Sequence, residues 1–230
     1  WYYHCDRIGM LVWQDAVSGG GPYSTLIISV LPFIGLDSIS DSHYSMFGRS
    51  SEIGRVNYVR DLKRMIRHLY NVPCISTWVP FNEAWGQFDA SKAVDEIKKI
   101  DTSRFIDHAS GWHDQGVGDF RSLHVYFKSV KIGGKDKFDR ATVLSEFGGY
   151  SFGVEGHVGS TSQFGYSWYY SKEELNEAIK KLFDKEIVPQ IKKGLSATVY
   201  TQVSDVEDEV NGLLTFDRKV CKADDDVFIN

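Results

Sequence analysis

The sequence predicts an α/β fold in which strands and helices alternate along the chain, as they do in a parallel barrel. Two observations lead to this prediction. Short apolar runs alternate with helical patterns, and two of these runs, residues 78–83 and 141–149, each carry one glutamate where the strand is expected to stop. Catalytic side chains collect at the carboxyl ends of parallel barrel strands. Glu83 and Glu146 are therefore the first candidates for chemistry.

Size and composition are those of an ordinary globular protein. The chain has 230 residues, of which 42% are hydrophobic and 25% are charged, enough for one large domain or two small ones. Its formal charge of −5 argues against nucleic acid or an acidic membrane surface as a partner. The longest apolar stretch, residues 26–36, is too short to span a bilayer. We expect neither nucleic acid nor a membrane as a partner.

The three cysteines, Cys5, Cys74 and Cys221, are widely spaced and form no Cys-x-x-Cys pair. This spacing does not support a zinc site or a redox pair, so buried free thiols are expected. We predict no metal and no cofactor. The thiols neither establish nor exclude a secreted or periplasmic origin, and the compartment stays open.

Both ends of the chain favour a fragment of a longer protein. Residues 1–10 open on an aromatic cluster without an initiator Met and without a signal peptide. Residues 223–230 are an acidic tail or the start of a following segment. We therefore expect a partial catalytic domain over residues 1–222.

The elements follow one another in a regular order. A glycine-rich loop at residues 19–22 follows the first apolar run. Apolar side chains at helical spacing predict helices over residues 56–71 and 91–100. A capping-box pattern at residues 171–174 opens a third helix. Strands are predicted at residues 10–15, in the run from Pro73 to Glu83, and at residues 104–110, 122–126, 142–146 and 196–202.

Six strands are fewer than a complete barrel requires, since an eightfold barrel typically needs about 250 residues. We therefore predict a TIM (β/α)8 barrel that is incomplete at its N-terminus, with strands 3–8 present. A rival count adds a strand at residues 25–31. Periodicity does not separate a buried strand from a buried helix over so few residues.

The two glutamates fit the needs of glycoside hydrolysis. A retaining enzyme uses one carboxyl group as acid and base and a second as nucleophile, about 5–5.5 Å apart. Glu83 follows Asn82, whose amide can bind a sugar 2-hydroxyl group, and Glu146 precedes glycines that let a substrate approach the backbone. A strand-end glutamate alone is more often structural, but two in one alternating chain favour catalysis.

Several segments resemble glycoside hydrolase family 2. Residues 79–89 resemble its acid/base segment, and residues 143–149 resemble its nucleophile segment. Residues 5–15 and 200–218 are similar to the regions around its third and eighth strands. The resemblance covers essentially the whole chain. It implies a TIM-barrel catalytic domain of the β-galactosidase, β-mannosidase and β-glucuronidase group, with β-sandwich domains N-terminal to it in the full-length parent.

The resemblance also implies roles for single residues. Glu83 would be the general acid/base, Glu146 the nucleophile, and Asn82 the ligand of the 2-hydroxyl group. His124 and Tyr126 fall where the family places active-site side chains, and a hydroxyl group at Tyr126 would bond Glu146.

Other candidates would contact the sugar. Trp85, Trp112 and Trp168 are stacking candidates, although any one of them is more often simply buried. Asp15 and Gln202 end predicted strands and would bond sugar hydroxyl groups, and Asp107 and His108 are weaker candidates. The acidic runs at residues 205–209 and 224–226 lack calcium-loop spacing and are expected to be solvated surface.

The function expected from the sequence is a retaining exo-β-glycosidase of carbohydrate metabolism, with a terminal β-galactoside as the default substrate. The Asn-x-Lys-Gly segment of glucuronidase-type enzymes is absent, since Lys193 and Gly194 follow Ile191 and Lys192, which weakly disfavours uronic acids. The alternatives are a catalytically inert carbohydrate-binding or scaffold barrel, and an inverting glycosidase.

Overall fold

The computed structural model describes residues 1–228, and the chain divides into two compact units. The first unit comprises Trp1–Ser122 and Asp136–Ala141, and the second comprises Leu123–Lys135 and Thr142–Asn230. The strands are β1 (Val12–Asp15), β2 (Ile75–Val79), β3 (Phe105–Ile106), β4 (Phe120–Val125), β5 (Ala141–Gly148), β6 (Tyr150–Ser151), β7 (Ser167–Trp168) and β8 (Leu195–Thr201). The α-helices are α1 (Tyr2–Ile8), α2 (Leu31–Phe33), α3 (Glu52–Leu69), α4 (Ala90–Lys98), α5 (Lys172–Leu182) and α6 (Val188–Ile191). Wider π-helical turns cover Leu26–Val30 and Phe183–Ile187, and a 3₁₀ turn covers Asp225–Phe228.

The first unit is built on a parallel sheet in the order β1-β2-β3. Its core combines this sheet with α3 and α4, whose apolar stripes were visible in the sequence. Leu62 and Ile66 of α3 and Ile97 of α4 are buried against the same cluster as Trp78 and Ile106 of the sheet. The predicted helices over residues 56–71 and 91–100 are thereby confirmed, although each begins and ends somewhat earlier in the structure.

Asp101 is fully buried in the connection between β2 and β3 and stabilises it through hydrogen bonds. Its carboxylate accepts hydrogen bonds from the indole N–H of Trp78 at 2.9 Å and from the backbone N–H of Ser103 at 2.8 Å. Arg104 donates to the same carboxylate at 2.6 Å and is itself nearly buried. Burial opposes ionisation of Asp101, but these donors outweigh it and lower its pKa to about 2.

The second unit contains residues 123–125 of β4, residues 142–148 of β5, and all of β8, in a sheet ordered β4-β5-β8. The short strands β6 and β7 follow β5 along the chain and pair in parallel with each other. Helix α5 begins at a capped end, because the Ser171 hydroxyl group accepts from the Glu174 N–H at 3.1 Å. This confirms the start that the capping-box pattern predicted.

The prediction of a TIM (β/α)8 barrel with strands 3–8 is wrong. Within residues 1–228 the parallel strands form separate sheets of three, three and two strands, and no barrel closes. A local reason lies at β3, which pairs over Phe105 and Ile106 only. Asp119 occupies the other edge of Ile106: its carboxylate accepts the Ile106 N–H at 2.7 Å, and its own N–H donates to the Ile106 carbonyl group at 2.9 Å. A further strand would need those same backbone groups.

The remaining segments complete the comparison with the sequence. The rival strand at residues 25–31 is helical, since it contains the π-helical turn Leu26–Val30. At the C-terminal end, Ala223 and Val227 pack against Leu175 and Ile179 of α5, whereas residues 229–230 of the predicted tail lie outside the described residues. The assignment of residues 1–222 to one catalytic domain stays a prediction. Among residues 1–228, none of the helices has the length and apolar character that crossing a membrane requires.

Candidate active site

The first unit brings three predicted site residues to the carboxyl edge of its sheet. Asp15 is the last residue of β1 and lies opposite Val79 in the parallel register. Beyond Val79 the chain stays near the sheet, because Asn82 forms a parallel bridge with Ser110. The Glu83 N–H then donates to the Ser110 carbonyl group at 2.9 Å. The predicted strand through Glu83 is thus shorter in the structure, but it delivers the Asn82-Glu83 pair to this edge.

Glu83 sits in a strained turn. Both Glu83 (φ 49°) and Ala84 (φ 60°) adopt the left-handed region, which residues with a Cβ atom rarely occupy. The turn closes when the Trp85 N–H donates to the Asn82 carbonyl group at 3.0 Å. Such strain costs about 1–3 kcal/mol per residue and clusters at functional sites. The Glu83 side chain is 8% exposed, so a carboxyl group is held largely out of bulk water here.

Trp85 is 43% exposed and is fixed through its backbone. Its carbonyl group accepts from the Gly19 N–H at 3.3 Å and from the Ser18 hydroxyl group. Gly86 follows with φ 68°, and a Cβ atom there would lie 2.2 Å from the Gly19 carbonyl oxygen. The glycine loop predicted at residues 19–22 therefore holds the Trp85 turn, and the exposed indole is available for stacking.

The weaker candidates of the first unit have structural partners. The Ser122 hydroxyl group donates to the buried Asp107 carboxylate at 2.8 Å. The Nε2 atom of buried His108 accepts the Gln115 N–H at 3.0 Å. Trp112 is half-buried. For Asp107 and His108 these contacts favour a structural role.

In the second unit, a bulge in β5 positions Glu146. Leu144 pairs with Thr198 and Phe147 pairs with Tyr200, so β5 advances three residues where β8 advances two. The extra residue falls beside Glu146. Bulges of this kind occur next to active sites, where they redirect a side chain. They are hard to see in a sequence, because the alternation of buried and exposed positions is interrupted only locally.

Glu146 has two polar neighbours from β4 and the residue after it. The Tyr126 hydroxyl group donates to Oε2 of Glu146, and His124 Nδ1 lies 3.5 Å from the same oxygen. Burial raises the pKa of the Tyr126 phenol, and the Glu146 charge raises it further, so the phenol keeps its proton. A neutral donor facing a carboxylate favours the ionised form of that carboxylate. The structure thus brings together three of the predicted residues, His124, Tyr126 and Glu146.

Two consecutive glycines let aromatic rings close around this group. Tyr166 stacks on Tyr126 with ring centres 4.1 Å apart and planes within 6°. Gly149 adopts φ 65°, and a Cβ atom there would lie 2.5 Å from the Tyr166 ring. Gly148 adopts φ 90°, with a Cβ position 2.3 Å from the Tyr200 ring. The glycines after Glu146 therefore accommodate the protein's own rings, in addition to any substrate.

Gln202 and Trp168 lie elsewhere in the second unit. The Gln202 amide donates to Glu209 at 2.8 Å and to Asn211 at 2.5 Å, so its N–H groups are engaged within the protein. Trp168 ends β7 and is 41% exposed. The roles of both in sugar binding stay predictions.

Some features were not visible in the sequence. Thr201 ends β8, and its hydroxyl oxygen lies 3.1 Å from the Tyr126 oxygen. Thr201 lies in the segment that resembles the eighth-strand region, but neither Thr201 nor Tyr166 was a predicted site residue. The expectation that the run at residues 205–209 is solvated is wrong for Asp205, which is buried and pairs with the buried amine of Lys222 at 2.7 Å.

Comparison with known proteins relates the chain to solved structures only. No protein-family model matches it, and no curated protein matches it in sequence. The GH2 β-galacturonidase from Eisenbergiella tayi bound to galacturonate aligns with 89% of this chain and 35% of its own, at 16% identity and a TM-score of 0.56. The β-glucuronidase of Parabacteroides merdae aligns with 93% of this chain and 28% of its own, at 15% identity and a TM-score of 0.59. Bacteroides uniformis β-glucuronidase 2, covalently bound to cyclophellitol-6-carboxylate aziridine, aligns with 94% and 28%, at 15% identity and a TM-score of 0.58.

The chain has a GH2-like fold. It spans about a third of the length of the solved structures it matches. At this identity the likeness concerns the fold alone, and the chemistry must be argued from the residues described above.

Proposed function

We propose that the chain carries the catalytic residues of a retaining exo-β-glycosidase that removes terminal β-linked sugars. The observation that carries this proposal is the setting of Glu146. It lies at the β5 bulge, accepts a hydrogen bond from the protonated phenol of Tyr126 and has His124 beside it. An oriented, ionised carboxylate is what nucleophilic attack on an anomeric carbon requires.

Glu83 supplies the second function in this proposal. It is largely buried in a left-handed turn directly after Asn82. A retaining mechanism needs a second carboxyl group that gives a proton to the departing oxygen, and Glu83 is the proposed one. Asn82 has an amide for the sugar 2-hydroxyl group, a contact that strengthens in the transition state.

The reaction proceeds in two displacements. In the first, Glu146 forms a bond to the anomeric carbon while Glu83 gives its proton to the departing glycosidic oxygen. The product is a glycosyl ester on Glu146 and a free alcohol. In the second, Glu83 removes a proton from water, the water oxygen bonds to the anomeric carbon, and Glu146 leaves as a carboxylate.

The sugar is proposed as a β-galactoside first. The solved structures with this fold include β-glucuronidases and a β-galacturonidase, which makes uronic acids the direct competitors. The Asn-x-Lys-Gly segment of glucuronidase-type enzymes is absent near Lys193. We therefore favour an uncharged galactoside over a uronic acid as the substrate. Asp15, Trp85 and Trp168 are proposed contacts of the substrate.

A panel of chromogenic glycosides tests the function. The chain is assayed as it is and, where its gene encodes further residues, together with them. We expect turnover of one β-linked sugar among galactoside, glucuronide, galacturonide and mannoside, and none of the α-linked forms. Absence of turnover with every glycoside, in both forms of the protein, contradicts the proposal and favours an inert carbohydrate-binding or scaffold domain.

Covalent labelling tests the nucleophile. Opening of a cyclophellitol aziridine by a carboxylate breaks a carbon–nitrogen bond, forms an ester and leaves the nitrogen protonated. We expect the mass of the protein to rise by one reagent molecule, with the adduct on the peptide that contains Glu146. Glu146→Gln should remain unlabelled. Comparing galacto-configured reagent with the 6-carboxylate separates neutral from uronic sugar specificity.

Product stereochemistry distinguishes retention from inversion. Proton NMR of the first sugar released, recorded before mutarotation, should show the β-anomer. The α-anomer as first product identifies an inverting glycosidase and contradicts the nucleophile role of Glu146.

A further inference from the structure

We propose that Thr201 is a positioning residue for Glu146, because its hydroxyl group directs the proton of Tyr126 toward that carboxylate. This inference rests on the proposed function, since it assigns a task to a residue of the same site. The residue belongs to neither glutamate segment and was not among the site residues predicted from the sequence.

The direction of the hydrogen bonds follows from counting protons. A phenol has one O–H, and a carboxylate accepts but does not donate. Because the Tyr126 hydroxyl group donates to Glu146, its oxygen is the acceptor toward Thr201 at 3.1 Å. The proton order is therefore Thr201 to Tyr126 to Glu146. Hydrogen bonds in such a series polarise one another, so the donor facing Glu146 is strengthened.

The backbone holds Thr201 in place for this task. Its carbonyl group accepts the Gly149 N–H at 3.0 Å, and Thr201 is the register partner of Gly148 in the β5–β8 pair. The strand that carries Glu146 and the residue that serves Tyr126 are thus joined by backbone bonds close to the site. A displacement of β5 at this point therefore also displaces Thr201.

The phenol ring has little freedom of its own. Tyr166 covers one face of Tyr126 in parallel stacking, and Gly149 leaves room for both rings. With the ring fixed, the remaining freedom of the hydroxyl group is rotation about its C–O bond. Thr201 removes that freedom by donating to the phenol oxygen. Without the Thr201 hydroxyl group, the phenol O–H of Tyr126 rotates among several orientations and donates to Glu146 for only part of the time.

The test replaces the hydroxyl group while keeping the shape of the side chain. Thr201→Val removes the donor, whereas Thr201→Ser keeps it. We expect Thr201→Val to lower kcat/KM about five- to tenfold, the usual effect of one hydrogen bond, and Thr201→Ser to stay within about twofold of the native enzyme. Thr198→Val, on the exposed face of the same strand, is the matched control and should leave the activity unchanged.

A pH profile separates positioning from a merely structural effect. The acid limb of kcat/KM reports protonation of the free enzyme. A carboxylate that loses donated hydrogen bonds protonates more readily, so the acid limb of Thr201→Val should move to higher pH. The limb of Thr201→Ser should not move. If Thr201→Val lowers the rate but leaves the acid limb in place, the inference is contradicted, because the lower rate then reflects a structural effect alone.

A second measurement does not depend on turnover. Tyrosine labelled with ¹³C at Cζ reports hydrogen bonding of each phenol by NMR, and Tyr126→Phe identifies the Tyr126 signal. We expect that signal to move at neutral pH in Thr201→Val and to stay in place in Thr201→Ser. An unmoved signal overturns the inference about Thr201 even if glycosidase activity is present. A moved signal in a protein without turnover supports the hydrogen-bond order and contradicts the proposed function instead.

Discussion

Tyr126 donates a hydrogen bond to Oε2 of Glu146, joining the residue after β4 to the residue beside the β5 bulge. The phenol is buried, its pKa is raised by burial and by the neighbouring carboxylate, and it stays protonated across the working pH range. This pairing gives Glu146 a fixed donor that does not titrate.

Tyr126→Phe removes the hydroxyl group and keeps the stacked ring. A hydrogen bond to a charged group contributes about 1.5–3 kcal/mol, so kcat/KM should fall roughly 10- to 100-fold. The unfolding temperature should change little, because the ring still packs against Tyr166. Steady-state kinetics and a thermal melt measure the two effects. Full activity in Tyr126→Phe contradicts the orienting role of the hydroxyl group.

Glu146→Gln replaces the proposed nucleophile by a group of the same shape that does not attack. Turnover should fall by roughly 10³-fold or more, as is typical when a nucleophile is lost. Glu155→Gln changes an exposed glutamate of the same unit and serves as the control. The two variants should fold alike by circular dichroism. Comparable activity in both variants rules out Glu146 as the nucleophile.

Glu83→Ala removes the proposed acid and base. Substrates with poor leaving groups need protonation of the departing oxygen, so their hydrolysis should slow most, whereas activated aryl glycosides should retain much of their first-step rate. Added azide should restore turnover with activated substrates, because it attacks without a base. The measurement is kcat/KM against leaving-group pKa. Equal loss across leaving groups means that Glu83 has a different task.

The sequence predicted the parts of this site that depend on local pattern. Asn82, Glu83 and Glu146 follow apolar runs. In the structure the first two lie just beyond β2, where Asn82 bridges to Ser110, and the third lies within β5. The barrel was predicted wrongly because the edge of β3 depends on Asp119, a residue in a loop with no strand signal. Asp119 binds the Ile106 N–H through its carboxylate and the Ile106 carbonyl group through its own N–H, and periodicity does not reveal such contacts.

Thr201 shows a second limit of the sequence. Its contact with Tyr126 depends on the register between β5 and β8, and that register includes a bulge. A bulge of one residue reverses which side chains face one another, and apolar runs do not report it. The Asp205–Lys222 pair was missed for a related reason, since an acidic run in a sequence carries no sign of which member is buried.

Asp101 makes the stability of the protein depend on pH in acid. Its pKa is lowered from 3.8 to about 2 in the fold, because Ser103, Arg104 and Trp78 donors outweigh the effect of burial. A depressed folded pKa gives stability that is present above the unfolded value and is lost as pH falls through the folded value. The loss should amount to about 2 kcal/mol between roughly pH 4 and pH 2.

Asp101→Asn tests this linkage. The variant should be less stable than the native protein at pH 6 and should lose less stability between pH 4 and pH 2. Urea unfolding at a series of pH values gives both quantities. Parallel pH profiles for the two proteins show that Asp101 is not the group responsible.

Gly149→Ala tests whether the rings around Glu146 are held by the absence of a side chain. Gly149 and Gly156 both adopt positive φ, at 65° and 78°, so alanine introduces backbone strain at either position. Only at Gly149 does the new Cβ atom also meet a ring, 2.5 Å from Tyr166, whereas it meets nothing within 4 Å at Gly156. Gly156→Ala should therefore destabilise the protein by about 1 kcal/mol and leave kcat/KM unchanged. Gly149→Ala should destabilise it further and lower kcat/KM, because Tyr166 must move off Tyr126 and release the phenol that faces Glu146. Equal effects of the two substitutions on activity indicate that the stacked pair is not needed to hold Glu146.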